Sequence, residues 1–171
     1  MKNKIPSAPT GYNTVNSFII TKDALKLIEF LKQVFGAEEV MEAHAIDDND
    51  GLLIHSELKI GDAIVMVADR KKDWPFTPSL LQVYVDNAED TLTRAEKLGA
   101  KIITKPTEFY GDTLSRFQDP YGNLWWLFEH GEESSWENTT SDGDSQSPES
   151  NQQPDYIYTT LLDAMKNLGG K

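Results

Sequence analysis

Ser79-Leu80-Leu81-Gln82-Val83-Tyr84-Val85-Asp86 is an alternating, β-rich run, and it leads directly into a helical stretch, Asp86–Leu98, that Gly99-Ala100 stops. Three further strand-like segments follow it: Lys101–Thr107, Thr113–Gln118 and Leu124–Phe128. The same series stands 63 residues earlier, where Asp23, Gly36 and Ala37 occupy the places of Asp86, Gly99 and Ala100. There Val15, Phe18, Ile19 and Ile20 form the β-rich run, and Leu27, Ile28, Leu31, Val34 and Phe35 recur at three and four. Asp23 is the expected N-cap of that helix, its carboxylate facing the free N–H groups of the first turn. Strands over Glu39–Ile46, Leu52–Ile60 and Ala63–Ala68 complete the first copy, separated by turn chemistry at Asp47-Asp48-Asn49-Asp50-Gly51 and Gly61-Asp62. A strand, a helix and three strands therefore occur twice, which predicts an α+β fold of two tandem βαβββ modules, 14–69 and 79–130.

Outside this repeat the composition changes. Residues 1–13 carry two prolines and little apolar periodicity and read as a loose lead-in. Residues 131–154 are rich in Ser, Glu, Asp, Asn, Gln and Thr, too polar to offset chain entropy, and read as a flexible acidic linker. Over 155–169 the pattern turns amphipathic again, with Ile157, Leu161, Met165 and Leu168 on one face and Tyr158 and Leu162 beside it. A helix this short is marginal alone and needs a surface to lie on, in its own domain or in a partner.

The chain has 171 residues and a formal net charge of −12. Residues 1–130 hold 14 basic and 20 acidic side chains, while 131–155 hold seven acidic ones and no basic one. A basic nucleic-acid footprint is absent, and with no cysteine there is no disulfide scaffold, thiol nucleophile or thiolate-ligated zinc. The apolar runs are strand-sized, well below the roughly 18 residues of a spanning helix, and the N-terminus carries no signal-like apolar segment. A cytoplasmic protein without membrane or nucleic-acid partners is the expectation. No Gly-rich phosphate loop or nucleophile elbow occurs.

The ordered segments Asp23-Ala24, Ile28-Glu29-Phe30, Val34-Phe35-Gly36-Ala37-Glu38, Ile54-His55-Ser56-Glu57-Leu58, Gly61-Asp62, Phe109-Tyr110-Gly111-Asp112, Arg116-Phe117 and Asp119-Pro120-Tyr121-Gly122-Asn123 with Trp125 resemble the glyoxalase, bleomycin-resistance and extradiol dioxygenase (vicinal oxygen chelate) superfamily, and within it the PhnB-like branch. The resemblance spans about Thr14 to His130. It implies curved mixed sheets that enclose a cavity, and a homodimer. It also implies metal ligands on the first and last strands of each module, and the matching positions here are Asn16, Met66, Leu80 and Trp126. None is His, Glu, Asp or Cys, and a shift of one residue supplies none, so no metal cofactor is expected at the family's usual site. The Asp119–Asn123 turn, with Pro and Gly in turn-forming positions, is expected to be architectural.

Strand alternation locates the ligand-facing side independently. Ile54, Leu58 and Ile60 share one face of their strand, leaving His55, Glu57 and Lys59 on the other; Leu81, Val83 and Val85 share one face of theirs, leaving Leu80, Gln82 and Tyr84. With Trp126 and Phe128 on the last strand and Asn16 and Phe18 on the first, the expected pocket is aromatic and amide-lined, with Met66 among its residues.

Within that pocket His55 and Glu57 are a candidate catalytic pair, Glu57 orienting the imidazole as a general base. The plainer reading is a structural hydrogen bond on a half-exposed polar face; a third is a relocated metal site that His44 would join. Arg116 can clamp a ligand oxyanion with Tyr110 at the rim, or it can form an ion pair with Asp112 that pins the loop, and the pair is the preferred reading. Trp74 and Phe76, between the modules, would form a lid, a dimer seam or ordinary surface packing. The preferred function is metal-free binding of an aromatic or cationic small molecule; the alternatives are a lyase, isomerase or dioxygenase-type enzyme, and an interaction module acting through the C-terminal helix.

Overall fold

A computed structural model describes residues 8–131 and 153–168, and the acidic stretch 132–152 lies outside them. The chain divides into two units, residues 1–77 and 78–171.

Unit 1 comprises β1 (Ser17–Thr21), α1 (Ala24–Phe35), β2 (Glu38–Ile46), β3 (Leu53–Ile60) and β4 (Ala63–Asp69). Unit 2 repeats the series as β5 (Leu80–Tyr84), α2 (Ala88–Lys97), β6 (Lys101–Phe109), β7 (Asp112–Gln118) and β8 (Leu124–Glu129), then adds α3 (Gln153–Leu168). The sheets have the same order, β1-β4-β3-β2 and β5-β8-β7-β6. In each, the first strand runs parallel to the last and the other neighbours are antiparallel. The 63-residue repeat is therefore a structural duplication, with strand and helix bounds within two residues of those expected for most elements.

Each module helix covers one face of its sheet. In α1, Leu27, Ile28, Leu31 and Val34 are buried, and Gly36 ends the helix with φ 67°, its N–H turned back onto the last carbonyls. In α2 the buried set is Ala88, Thr91, Leu92 and Ala95, and the Asn87 side chain accepts from the Asp90 N–H as an N-cap. Beneath α2 lie Phe117, Trp125 and Leu127, all fully buried, with the Phe117 and Trp125 rings stacked at 6.3 Å. Aliphatic burial of this completeness stabilises by about 1.5–3 kcal/mol per side chain.

Asp23 does not cap α1. Its backbone is left-handed, φ 55° and ψ 47°, and its side chain makes no capping bond. The cap comes from the end of β4, where the two oxygens of Asp69 accept from the N–H groups of Ala24 and Leu53, both at 2.8 Å. Unit 2 reuses the device: Glu129, at the end of β8, accepts from the Ala88 N–H at 2.9 Å. Gly131, read from composition as linker, closes unit 2 instead. Its N–H donates to Asp112, and it packs so tightly on the Gly111 carbonyl that a Cβ would stand 1.9 Å from that oxygen.

The helix α3 begins two residues before the expected start, and it lies on its own unit. Ile157 and Leu168 are buried, and Ile157 joins Leu114 and Phe128 in one apolar cluster flanked by Phe109 and Trp126. Met165, expected on the buried face, is 44 % exposed. Thr160 takes part instead, its hydroxyl 2.8 Å from that of Thr104 on β6.

Candidate functional site

Apart from Asn16, the residues singled out by alternation lie in the strands of the two sheets. In unit 1, register sets Phe18 of β1 beside Met66 of β4, and Met66 beside Glu57 of β3. His55 is two residues along β3 from Glu57 and so shares its face. The His55 Nε2 lies 3.1 Å from one Glu57 oxygen, and the Tyr12 hydroxyl, from the lead-in, donates to the other. The Phe18 ring meets the His55 ring edge-on at 5.8 Å. Glu57 is buried and its carboxyl is held below the ordinary range, chiefly by the Tyr12 hydrogen bond and, against burial, by His55. The same bond pushes the Tyr12 phenol up. An ionised carboxylate thus sits at the floor of a half-exposed face, between a phenol and an imidazole whose Nδ1 has no hydrogen-bond partner among the described residues. Tyr12 was missed from sequence because an isolated tyrosine in an aperiodic segment carries no signal of what it reaches 45 residues away.

His44 does not join this cluster. Its Nδ1 lies 2.6 Å from Glu39, which also accepts from Lys32 of α1 and from Ser56. Ser56 alternates with His55 and Glu57, so this second network is on the helix side of the sheet. The relocated His44/His55/Glu57 site is therefore not assembled, and the described residues contain no group of three or more His, Asp or Glu able to hold a metal ion. Asn16 precedes β1 and is turned onto its own loop, bonded to the backbone of Asn13. The donor set at the family's ligand positions, with Met66, Leu80 and Trp126 supplying a thioether, an alkyl group and an indole, does not fit a divalent cation.

In unit 2 one row runs across all four strands: Thr104, Arg116, Trp126 and Gln82 are register partners, and Leu114, Phe128 and Tyr84 form the next. The Arg116 guanidinium lies over the Trp126 ring at 5.0 Å, and the Tyr84 and Phe128 rings are 5.8 Å apart. Tyr110 stands at the β6–β7 turn with φ 54°, its ring edge-on to Phe109. The expected Asp112–Arg116 pair does not form. Asp112 instead meets the His130 Nδ1 at 2.9 Å and accepts from Gly131. Arg116 donates to the Thr104 hydroxyl and to the Ile157 carbonyl of α3, at 3.1 and 2.9 Å.

A family model described as the Glyoxalase/Bleomycin resistance protein/Dioxygenase superfamily matches residues 12–127. The chain belongs to that superfamily. Among curated relatives, an uncharacterized protein of Mycobacterium bovis is 28% identical over 121 residues, covering 64% of this chain and 78% of the relative. A fosfomycin resistance protein, FosX, from Listeria monocytogenes superposes with a TM-score of 0.57 at 18% identity, over 76% of this chain and 98% of that one. A PhnB protein from Bacillus cereus, described as a putative 3-demethylubiquinone-9 3-methyltransferase, does so with a TM-score of 0.53 at 21% identity, over 67% and 98%. At these identities the solved structures speak to the fold, which they share with the superfamily member described above.

Proposed function

We propose that this superfamily member binds a small organic cation with a planar apolar body, without a metal, on the open face of the unit 1 sheet. The observation that carries the reading is the ionised Glu57 at the floor of the Phe18/His55 ring pair. Aromatic faces and edges stack a planar body, and a desolvated carboxylate supplies its counter-charge. Met66 beside Phe18 adds a polarizable wall that adapts to ring shape.

Fluorescence anisotropy with proflavine, a planar aromatic cation, tests this. Binding is expected to weaken by about tenfold or more in Glu57→Gln, the loss of one charge-assisted contact, and in Phe18→Ala. Equal affinity in Glu57→Gln, or no binding across a panel of aromatic cations, would sink the reading. So would stoichiometric zinc, iron, nickel or manganese in chelator-free protein, lost in His55→Ala.

The second reading is general acid–base chemistry at His55. It rests on the His55–Glu57 geometry, in which the carboxylate orients the ring and leaves Nδ1 free to take a proton from a ligand. It predicts deuterium uptake from D2O at a carbon acid next to a carbonyl, abolished in His55→Gln.

A further inference from the structure

The side chain of Arg116 is only 3 % exposed, yet no carboxylate among the described residues pairs with it. Its Nη1 donates to two neutral oxygens, Thr104 Oγ1 and the Ile157 carbonyl, and its buried Nε has no hydrogen-bond partner among the described residues. Burial alone pushes the guanidinium down to about 10. A buried cation is costly unless paired, and the usual remedy is an anion held by the planar guanidinium fork. Around Arg116 the sheet offers the rest of a ligand site: the Trp126 ring beneath the guanidinium, Leu114 and Phe128 beside it, and Gln82 next along the row.

What fills this place is α3. The Ile157 carbonyl accepts from the guanidinium and the Ile157 side chain packs with Leu114 and Phe128. The polar attachments are few and neutral: Thr160 to Thr104, and the Lys105 N–H to the Tyr156 hydroxyl at 3.0 Å. Much of the helix's own apolar surface is left uncovered, with Tyr158, Leu162 and Met165 each more than 40 % exposed.

We propose that the Arg116–Trp126 face is a binding site for an aromatic oxyanion, and that α3 docks there as an intramolecular stand-in which the ligand displaces. A charge-assisted bond from guanidinium to an oxyanion is stronger than one to a neutral carbonyl, so the ligand offers Arg116 what the helix does not. The helix, sixteen residues long, holds its place through the docking surface rather than through its own stability. Ligand and helix compete, and the apparent affinity is reduced by the fraction of molecules in which α3 is undocked. The inference is independent of the unit 1 reading, since the charge it requires of the ligand is the opposite one.

Titration of the full chain with 2-naphthoate, alongside hydrogen exchange of residues 155–168, tests it. The expected result is that 2-naphthoate speeds exchange across α3. The paired helix-side change Tyr156→Phe/Thr160→Val, which leaves the sheet untouched, is expected to tighten 2-naphthoate by about tenfold as docking weakens. In that background Arg116→Gln is expected to abolish binding; Arg116→Met, an apolar replacement of similar length, does the same should the amide variant fold poorly. The proposal is overturned if 2-naphthoate binds with α3 protection unchanged, if the helix-side variant binds it no better than the parent, or if binding survives both Arg116 replacements. It is overturned equally if the helix-side variant, its α3 shown by exchange to be released, binds no 2-naphthoate at millimolar concentration. 2-Naphthylmethylammonium, the same ring with the opposite charge, is expected to leave α3 protected, and displacement by this cation would refute the role given to Arg116.

Discussion

At the scale of single residues, the fold is fastened by carboxylates that reach across sequence. Asp119 accepts from the Trp125 indole, the Asn123 amide and the backbone N–H groups of Tyr121 and Asn123, all at 2.9 Å. The Asn123 side chain in turn accepts from Ser79 N–H at 3.1 Å, tying the turn to the start of β5. Replacing Asp119 by Ala removes the shared acceptor of four hydrogen bonds, three of them buried, and is expected to cost about 3 kcal/mol or more in urea unfolding; Asp119→Asn, which keeps one acceptor oxygen, should cost less. A loss below about 1 kcal/mol in Asp119→Ala would contradict this account. The architectural role of this turn was legible because its residues are contiguous. The Asp69 cap of α1 and the Glu129 bond that supplements Asn87 on α2 were not, because Asp69 and Glu129 are 45 and 41 residues from the amides they satisfy, and an aspartate adjacent to a helix is indistinguishable in sequence from a true N-cap. Only the backbone separates them: at φ 55° Asp23 cannot turn its carboxylate onto the first turn, although its carbonyl still accepts from Lys26 and Leu27. The same contrast divides the candidate site. His55 and Glu57 share a face by strand period and could be read directly, whereas Tyr12 depends on where the lead-in folds back.

At the scale of elements, the eight strands and two module helices follow from periods of 2 and 3.6, which local sequence carries in full. The face of α3 does not follow from apolar periodicity alone. The stripe of Ile157, Leu161, Met165 and Leu168 assumes an apolar surface to lie on, and the actual surface includes the Thr104 and Arg116 polar groups, which draw Thr160 inward and leave Met165 outside. Helix docking of this kind has a measurable signature. Truncating a buried isoleucine to alanine in a core that cannot rearrange costs about 3 kcal/mol, but Ile157 belongs to an element that can detach, so its loss is limited by the docking free energy. The thermal midpoint of Ile157→Ala is therefore expected to fall below that of the parent chain and no further than that of residues 1–131. A midpoint for Ile157→Ala well below that of the truncated chain would mean that α3 is an inseparable part of the unit 2 core.

At the scale of the whole molecule, duplication has given two sheets of identical topology whose open faces bury side chains of opposite charge, Glu57 in unit 1 and Arg116 in unit 2. Net charge does not report this: of the total of −12, seven negative charges fall in 131–155, and residues 1–77 and 78–130 are both net acidic. Unit 1 holds carboxylates whose ionised forms are stabilised. Burial works to raise the Glu39 carboxyl, but the hydrogen bonds from Lys32, His44 and Ser56 outweigh it and hold the group at about 2 against an ordinary 4.5, and Glu57 is lowered in the same direction. A carboxyl lowered in the folded state contributes stability that is complete above about pH 4.5 and is lost as pH falls towards 2. Unit 2 has the reverse case in Asp119, which burial raises above 3.8 despite its four hydrogen bonds. Its ionised form carries a desolvation cost, so acidification down to the ordinary 3.8 relieves unit 2, whereas unit 1 goes on being weakened towards pH 2. Acid unfolding is accordingly expected to begin in unit 1. In a titration followed by NMR, the native amide signals of Leu53 and Ser56 should disappear at higher pH than the indole N–H signal of Trp125, which reports its bond to Asp119. Glu39→Gln should shift the unit 1 transition and leave that of Trp125 in place. A single transition common to both units, or earlier loss of the Trp125 signal, would show that the two sheets are coupled more strongly than their separate carboxylate networks imply.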